Sequence, residues 1–215
     1  MGSRPHVAAD TLAGMESEAA VTTREELRDG RAVLIGPLHP NDRERFLSGI
    51  GRASAESLYK RFMTPIARLT STQIGYLLGI DHRDHEALLA VDEEGGEAVA
   101  IGRFVRSTES PSRAEAAALV VDDWQGLGLG QVLCRRMADR ARELGIDRFE
   151  ATMLVDNRPM MEVMRSIGEV RTLATDGGAV TLEVLLPEPE PAERMTGALR
   201  EADTGGYELV EPEDG

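Results

Sequence analysis

The stretch VVDDWQGLGLGQVLCRRMADRARELG, residues 120–145, constrains the fold of this chain more than any other. Three glycines in five residues, Gly126, Gly128 and Gly130, stand at the doorway of a strongly helical segment. Glycine weakens local order, so its repetition here implies a backbone that needs unusual dihedrals or close approach by a ligand. A predicted strand hands over to a helix at this point, and the first amides of a helix have no intrahelical partner. Together with the helix dipole those amides make an anion site. The expected occupant is a phosphate or pyrophosphate, and the alternative is a glycine-rich tight turn with no ligand. The spacing is not the Rossmann GxGxxG, and no Walker Lys-Ser/Thr follows, so dinucleotide and P-loop readings both weaken.

The rest of the chain supplies the frame for that loop. RAVLIGPL (31–38) reads as a strand, and HPND as a turn and helix cap before DRERFLSGIG. SAESLYKRF (54–62), with Ser54 as cap, and LTSTQIGYLLGI (69–80) read as two further helices. HEALLAVD (85–92) and EAVAIGRFVR (97–106) form a hairpin about EEGGE, and RAEAAALVV (113–121) is the strand feeding the glycine loop. After the loop's helix come a strand (147–156), a helix from Asn157 closed by Gly168, and a terminal hairpin about TDGG. The expectation is an α/β fold: one mixed sheet of six or seven strands flanked by helices.

Composition sets the outer limits. The chain has 215 residues, enough for one domain with a real core. Its net charge of −14 argues against nucleic-acid binding, which needs a basic surface. About half of that charge lies beyond Pro187, where nine acidic residues face two arginines. Residues 1–22 and 188–215 read as flexible tails, the second acidic, around a folded unit at 23–187. Apolar runs such as LLAV and MLV are strand-sized, so no membrane span is expected. The N-terminus lacks the apolar core of a secretory signal, which makes a cytoplasmic location the default. A single cysteine, Cys134, excludes an internal disulfide and argues against a Cys-rich metal site; at helical spacing with Val132, Leu133 and Met137 it reads as core. His82 and His85 sit in the charged turn DHRDHEA and read as a solvated loop rather than a metal pair. No metal is expected.

Gln125-Gly126-Leu127-Gly128-Leu129-Gly130 resembles the Q/R-x-x-G-x-G/A loop of the GNAT superfamily of acyl-CoA-dependent N-acyltransferases. The likeness runs over roughly residues 30–187 and includes the element order, Asn157 at a helix start and Gly168 at its end. More narrowly, LIGPLHPND, SAESLYKRF and AEAAALVVDDWQGLGLG look like the GNAT domain of bacterial protein lysine acetyltransferases that regulate acyl-CoA synthetases. The resemblance implies acetyl-CoA as co-substrate, its pyrophosphate on the amides of 125–130 and its pantetheine arm near Asn157. It implies a strand amide among Leu119, Val120 and Val121 that polarises the thioester carbonyl. It also implies an amine acceptor, either a protein lysine or a small amine, and makes an edge-strand homodimer an expectation. Two departures stand out: Met164 occupies the slot of the tyrosine that protonates the leaving thiolate in many relatives, and Gly168-Glu169 replaces Gly-Phe.

Acyl transfer to an amine needs a base, because an alkyl ammonium with a pKa of about 10.4 is protonated at neutral pH. Glu115 is the candidate, ten residues before Gln125 on the strand feeding the loop. A carboxylate among alanines is expected to be partly desolvated, and desolvation favours proton uptake. Related lysine acetyltransferases carry their catalytic glutamate in the corresponding position, whereas the pattern alone also fits a glutamate facing solvent from a half-buried strand. Two alternatives to protein lysine acetylation stay open: a small-molecule amine acetyltransferase, and a non-catalytic CoA-binding regulatory protein.

Overall fold

A computed structural model of the chain describes residues 22–65 and 69–188. The tails expected at 1–22 and 188–215 lie outside the described residues, apart from Thr22 and Glu188. The strands are β1 (Thr23–Glu26), β2 (Ala32–Pro37), β3 (His85–Asp92), β4 (Ala98–Arg106), β5 (Arg113–Val120), β6 (Arg148–Leu154), β7 (Glu169–Asp176) and β8 (Ala179–Leu185). They form one eight-stranded sheet in the order β1-β2-β3-β4-β5-β6-β8-β7. Every neighbouring pair is antiparallel except β5 and β6. The mixed α/β sheet is thus one strand larger than the expected six or seven. The extra strand is β1, whose sequence TREE offers no apolar alternation. Its pairing with β2 through a turn at Gly30 (φ +87°) is what makes it a strand.

Helices cover both faces of the sheet. The helices α1 (Arg43–Arg52), α2 (Ala55–Phe62) and α3 (Ser71–Leu78) lie between β2 and β3 in the chain. Ser54 caps α2 by accepting from the Ser57 amide, and Thr70 with Gln73 makes a capping box on α3. A small core on this face gathers Leu38, Phe46, Leu77, Ala87, Leu89 and Ala98. The opposite face carries α4 (Leu129–Glu143) and α5 (Arg158–Ile167). On α4, Leu129, Leu133, Cys134, Met137, Ala138 and Ala141 recur at helical spacing and are all buried. They meet Phe104, Phe149, Leu182 and Val184 in the main core. Fully burying a Leu, Met or Phe contributes about 1.5–3 kcal/mol each, so this stripe fixes α4 and with it the loop that precedes α4.

Candidate active site

The parallel pair β5–β6 is registered over only three positions, Arg113↔Arg148, Ala114↔Phe149 and Glu115↔Glu150. Beyond Glu115 the two strands part. The opening is a cleft of about 1360 Å³, counting the space open to solvent, between Ala116–Val120 on one wall and Ala151–Met153 on the other. Alanines at 116, 117 and 118 keep it wide, and α4 and α5 close its back through Cys134, Met137, Met160 and Met164.

Strand parity decides which β5 amides face that cleft. Val121 donates to the Val99 carbonyl of β4 at 2.9 Å, and Ser107 donates to Arg113 at 2.8 Å. Residues opposite one another alternate between bonded and non-bonded pairs along an antiparallel ladder. The amide of Leu119, opposite Ile101, therefore also points to β4. Of the three expected cofactor amides only Val120 turns to the cleft, and Leu119 and Val121 are corrected to ladder donors. Leu119 still lines the cleft by its side chain, whereas Val121 is buried in the main core.

The glycine loop presents its backbone outward. Gly126 (φ +75°) and Gly128 (φ +91°) adopt dihedrals that a side chain disfavours. The intervening Leu127 and Leu129 turn inward and pack on the main core. Alternation of the two residue types thus separates anchoring from presentation. Among the described residues, the amides of Gly126, Leu127, Gly128, Leu129 and Gly130 make no hydrogen bond within the protein. Five open donors at the N-terminus of a 15-residue helix suit a diphosphate, so the site fits the coenzyme that the loop pattern implies. Arg28, from the β1–β2 turn, covers the loop: its amide donates to Leu127 O at 3.3 Å and its guanidinium to Gln131 Oε1 at 3.2 Å.

Gln125 has a different role from the one expected. Its Nε2 donates to Ser57 Oγ at 2.9 Å and to Val120 O at 3.0 Å, so its side chain ties the loop to α2 and β5. Asp122 completes the tie, accepting from Ser54 N (2.8 Å), Ser54 Oγ (2.6 Å) and Ser57 Oγ (3.0 Å). Burial pushes the Asp122 carboxyl up, but those hydrogen bonds outweigh it and hold the group below the ordinary aspartate value. Trp124 is buried behind the loop, with the Arg31 guanidinium 4.0 Å over its ring. Asn157 lines the cleft while its Oδ1 caps α5 through the Met160 amide at 3.3 Å.

Glu115 stands where the strands begin to part, on the face opposite the buried Ala114 and Ala116. It is exposed, which corrects the expected desolvation: the alanines face the main core and the glutamate faces away. Its carboxylate makes no hydrogen bond or close ion pair among the described residues, yet it lies within the electrostatic reach of Arg61 and Arg103. Cys134 is buried, and burial pushes its thiol up to about 12, which fits packing and not nucleophilic chemistry. Met164 is buried against the cleft and offers no proton. The two histidines are not solvated as expected. His82 Nδ1 bonds Glu86 Oε1 at 2.8 Å, and His85 Nε2 meets the Arg103 guanidinium. Arg28, Ser57, Arg61 and Arg103 carry no local motif, and contacts between residues 57 and 125 leave no trace in spacing.

Comparison with known proteins identifies the family of the chain. The model of the Acetyltransferase (GNAT) family matches residues 52–168. Acetyltransferase Pat of Mycolicibacterium smegmatis is 34% identical over 182 residues, covering 81% of this chain and 54% of that protein. Acetyltransferase PA5475 of Pseudomonas aeruginosa is 36% identical over 148 residues, 68% of this chain and 79% of that protein. The chain therefore spans about half the length of the first of these relatives and four fifths of the second. The crystal structure of the GNAT domain of S. lividans PAT superposes with a TM-score of 0.70 at 33% identity, over 77% of this chain and 97% of that one. The chain belongs to the Acetyltransferase (GNAT) family.

Proposed function

We propose that residues 23–187 transfer an acetyl group from acetyl-CoA to a primary amine, in a cytoplasmic setting. The observation that carries this reading is one continuous unit, β5 and its loop. It brings together an unpaired carboxylate, a cleft-facing amide and five open donors at a helix N-terminus. Bound there, acetyl-CoA supplies a thioester as acyl donor. The amides of 126–130 hold its diphosphate, with Arg28 beside them, and the Asn157 side chain flanks its arm. The Val120 N–H donates to the thioester oxygen and favours the charge that develops on it. Glu115 takes the proton from the acceptor ammonium, directly or through water, and frees the lone pair that attacks the carbonyl carbon. As the C–N bond forms the C–S bond would break, the second proton of the nitrogen passing to solvent and the thiolate, which Met164 cannot protonate, taking one from water. On the resemblance the acceptor is a protein lysine.

A second reading keeps the donor site without turnover and makes the chain a CoA-responsive regulator; Met164 favours it. Release of free thiol from acetyl-CoA, followed over a panel of primary amines and lysine peptides, separates the two. Amine-dependent release supports the transferase. Tight CoA binding with no release for any amine leaves the regulator.

A further inference from the structure

Lys60 is the only lysine in the chain; apart from the histidines, every other basic side chain is an arginine. A guanidinium stays protonated and is no nucleophile, whereas an alkyl amine becomes one once it loses a proton. Lys60 is therefore the one side-chain amine that the protein can offer to an acyl donor. It stands on α2 and lines the cleft between β5 and β6, together with Ser57 and Arg61 of the same helix.

Hydrogen bonds fix the place of α2 along that cleft. The N–H and C=O of one residue in an antiparallel ladder point the same way, so the Val120 carbonyl opens to the cleft with the Val120 amide. Gln125 Nε2 donates to that carbonyl at 3.0 Å and to Ser57 Oγ at 2.9 Å. Ser57, buried on α2, is thus joined to the Val120 backbone through one side chain. Lys60 follows Ser57 by three residues, which puts it on the same face of α2, about 4.5 Å further along the axis. Arg61 comes next and lies within the electrostatic reach of Glu115. Lys60 therefore belongs to the turn of α2 that spans β5 between Val120 and Glu115. Its Nζ contacts Glu56, one turn back and exposed. An exposed i,i+4 pair holds a flexible lysine only weakly. Turning the side chain into the cleft breaks no other contact of the ammonium among the described residues.

We infer that Lys60 is a modification site of the protein itself, acetylated within its own chain when acetyl-CoA occupies the cleft. The inference rests on the transferase reading for its donor. The Lys60 ammonium gives one proton to water by way of Glu56, the carboxylate it already contacts, and the freed lone pair attacks the thioester carbonyl carbon. The C–N bond forms and the C–S bond breaks. The nitrogen sheds its second proton to solvent, and the CoA thiolate takes one from water. The products are a neutral acetamide at Lys60, free CoA thiol and one net proton.

The test incubates the whole chain with acetyl-CoA and no other acceptor, and peptide mass spectrometry locates each acetyl group. The expected result is an acetyl group on Lys60. Its rate of appearance per molecule should survive a dilution of about tenfold, because an amine held at its donor reacts at a high effective concentration. Lys60→Arg keeps the charge and should abolish the equivalent of thiol released without added amine. Gly128→Val, which breaks the diphosphate cradle, should slow Lys60 acetylation at least about tenfold. Heat-unfolded protein gives the uncatalysed background. Amine-dependent thiol release by a chain whose Lys60 stays unmodified overturns the inference and leaves the transferase reading standing. Lys60 acetylation no faster than in the unfolded chain overturns it too, as does a rate per molecule that falls on dilution. Lys60 acetylation with no release for any added amine keeps the inference and overturns transfer to an external acceptor. Absence of both acetylation and release overturns the two together.

Discussion

His85 and Glu86 are neighbours on β3, yet strand alternation sends them to opposite faces of the sheet and into opposite electrostatic circumstances. On the α4 face, Glu86 is 0% exposed and fully satisfied. Its Oε1 accepts from the Ala87 amide at 3.0 Å and bonds His82 at 2.8 Å, and its Oε2 accepts from Arg140 Nε at 3.1 Å. Arg140 also reaches Glu143 and the His82 carbonyl. Burial works against the charge on Arg140, but the hydrogen bonds to Glu143 and Glu86 hold its guanidinium above the ordinary value. On the other face, His85 meets Arg103, whose buried Nη1 has no hydrogen-bond partner among the described residues. One cluster is closed by the protein and serves stability. The other leaves a buried donor without a partner among the described residues, so the fold carries the cost of that group.

The largest effect is expected where the open face does chemistry. Glu115→Gln keeps shape and hydrogen bonding but removes the proton acceptor, so turnover should fall by about 10²–10⁴. Stability should move by less than about 0.5 kcal/mol, because the side chain is exposed. Pre-steady-state acetyl transfer with a denaturant titration in parallel reads both. Equal rates in variant and wild type would mean that the base lies elsewhere.

Next comes the closed cluster. Glu86→Ala strands His82 and Arg140 without their buried carboxylate and should cost about 3–5 kcal/mol of stability. Acetyl transfer per folded molecule should not change. A loss under 1 kcal/mol in urea unfolding would show that the network is no tighter than the open one.

The glycine loop tests presentation rather than charge. Gly128→Val places a branched side chain at φ +91°, with its Cβ 3.4 Å from Arg28 Nε. Two lost charge-assisted amide bonds, at about 1.5–3 kcal/mol each, predict CoA binding weaker by roughly a hundredfold or more. Calorimetry finding unchanged affinity in a folded variant would refute the diphosphate cradle.

Arg103→Met sharpens the contrast most directly. Replacing an incompletely paired buried charge by an apolar chain should hold stability within about 1 kcal/mol of wild type, or raise it. A loss as large as that of Glu86→Ala would erase the distinction between the two faces.

The smallest effect concerns pH. His85 is neutral in the fold, because burial and Arg103 hold it below the unfolded value of about 6.5. The unfolded chain then binds more protons than the native one just below that value, so stability is full above it and declines as pH falls through the window. His85→Gln should flatten that slope below about pH 6.5, read by thermal unfolding at a series of pH values. An unaltered slope would move the titration to another group.

Much of this architecture is legible in the chain. HEALLAVD is a strand-length apolar run between charged ends and forms β3 at the expected bounds, and SAESLYKRF carries its own cap. Glycine spacing marks the loop because each requirement there is local: a dihedral, a leucine anchor, a helix start. Strand β1 is illegible because TREE has no apolar period and pairs only through β2. The role of Gln125 is illegible because its partner Ser57 lies 68 residues away.

By itself, then, the sequence determined the β–loop–α unit, the order of elements and a carboxylate on the strand before the loop. Those properties follow from periodicity and backbone chemistry, which act over a few residues. Only the tertiary structure decided which amides remain open. The register of β5 on β4 and its departure from β6 beyond Glu115 choose Val120 over Leu119 and Val121. Only the tertiary structure brought Arg61 of α2 beside Arg103 of β4, since packing of distant elements sets the partners a buried charge acquires or lacks.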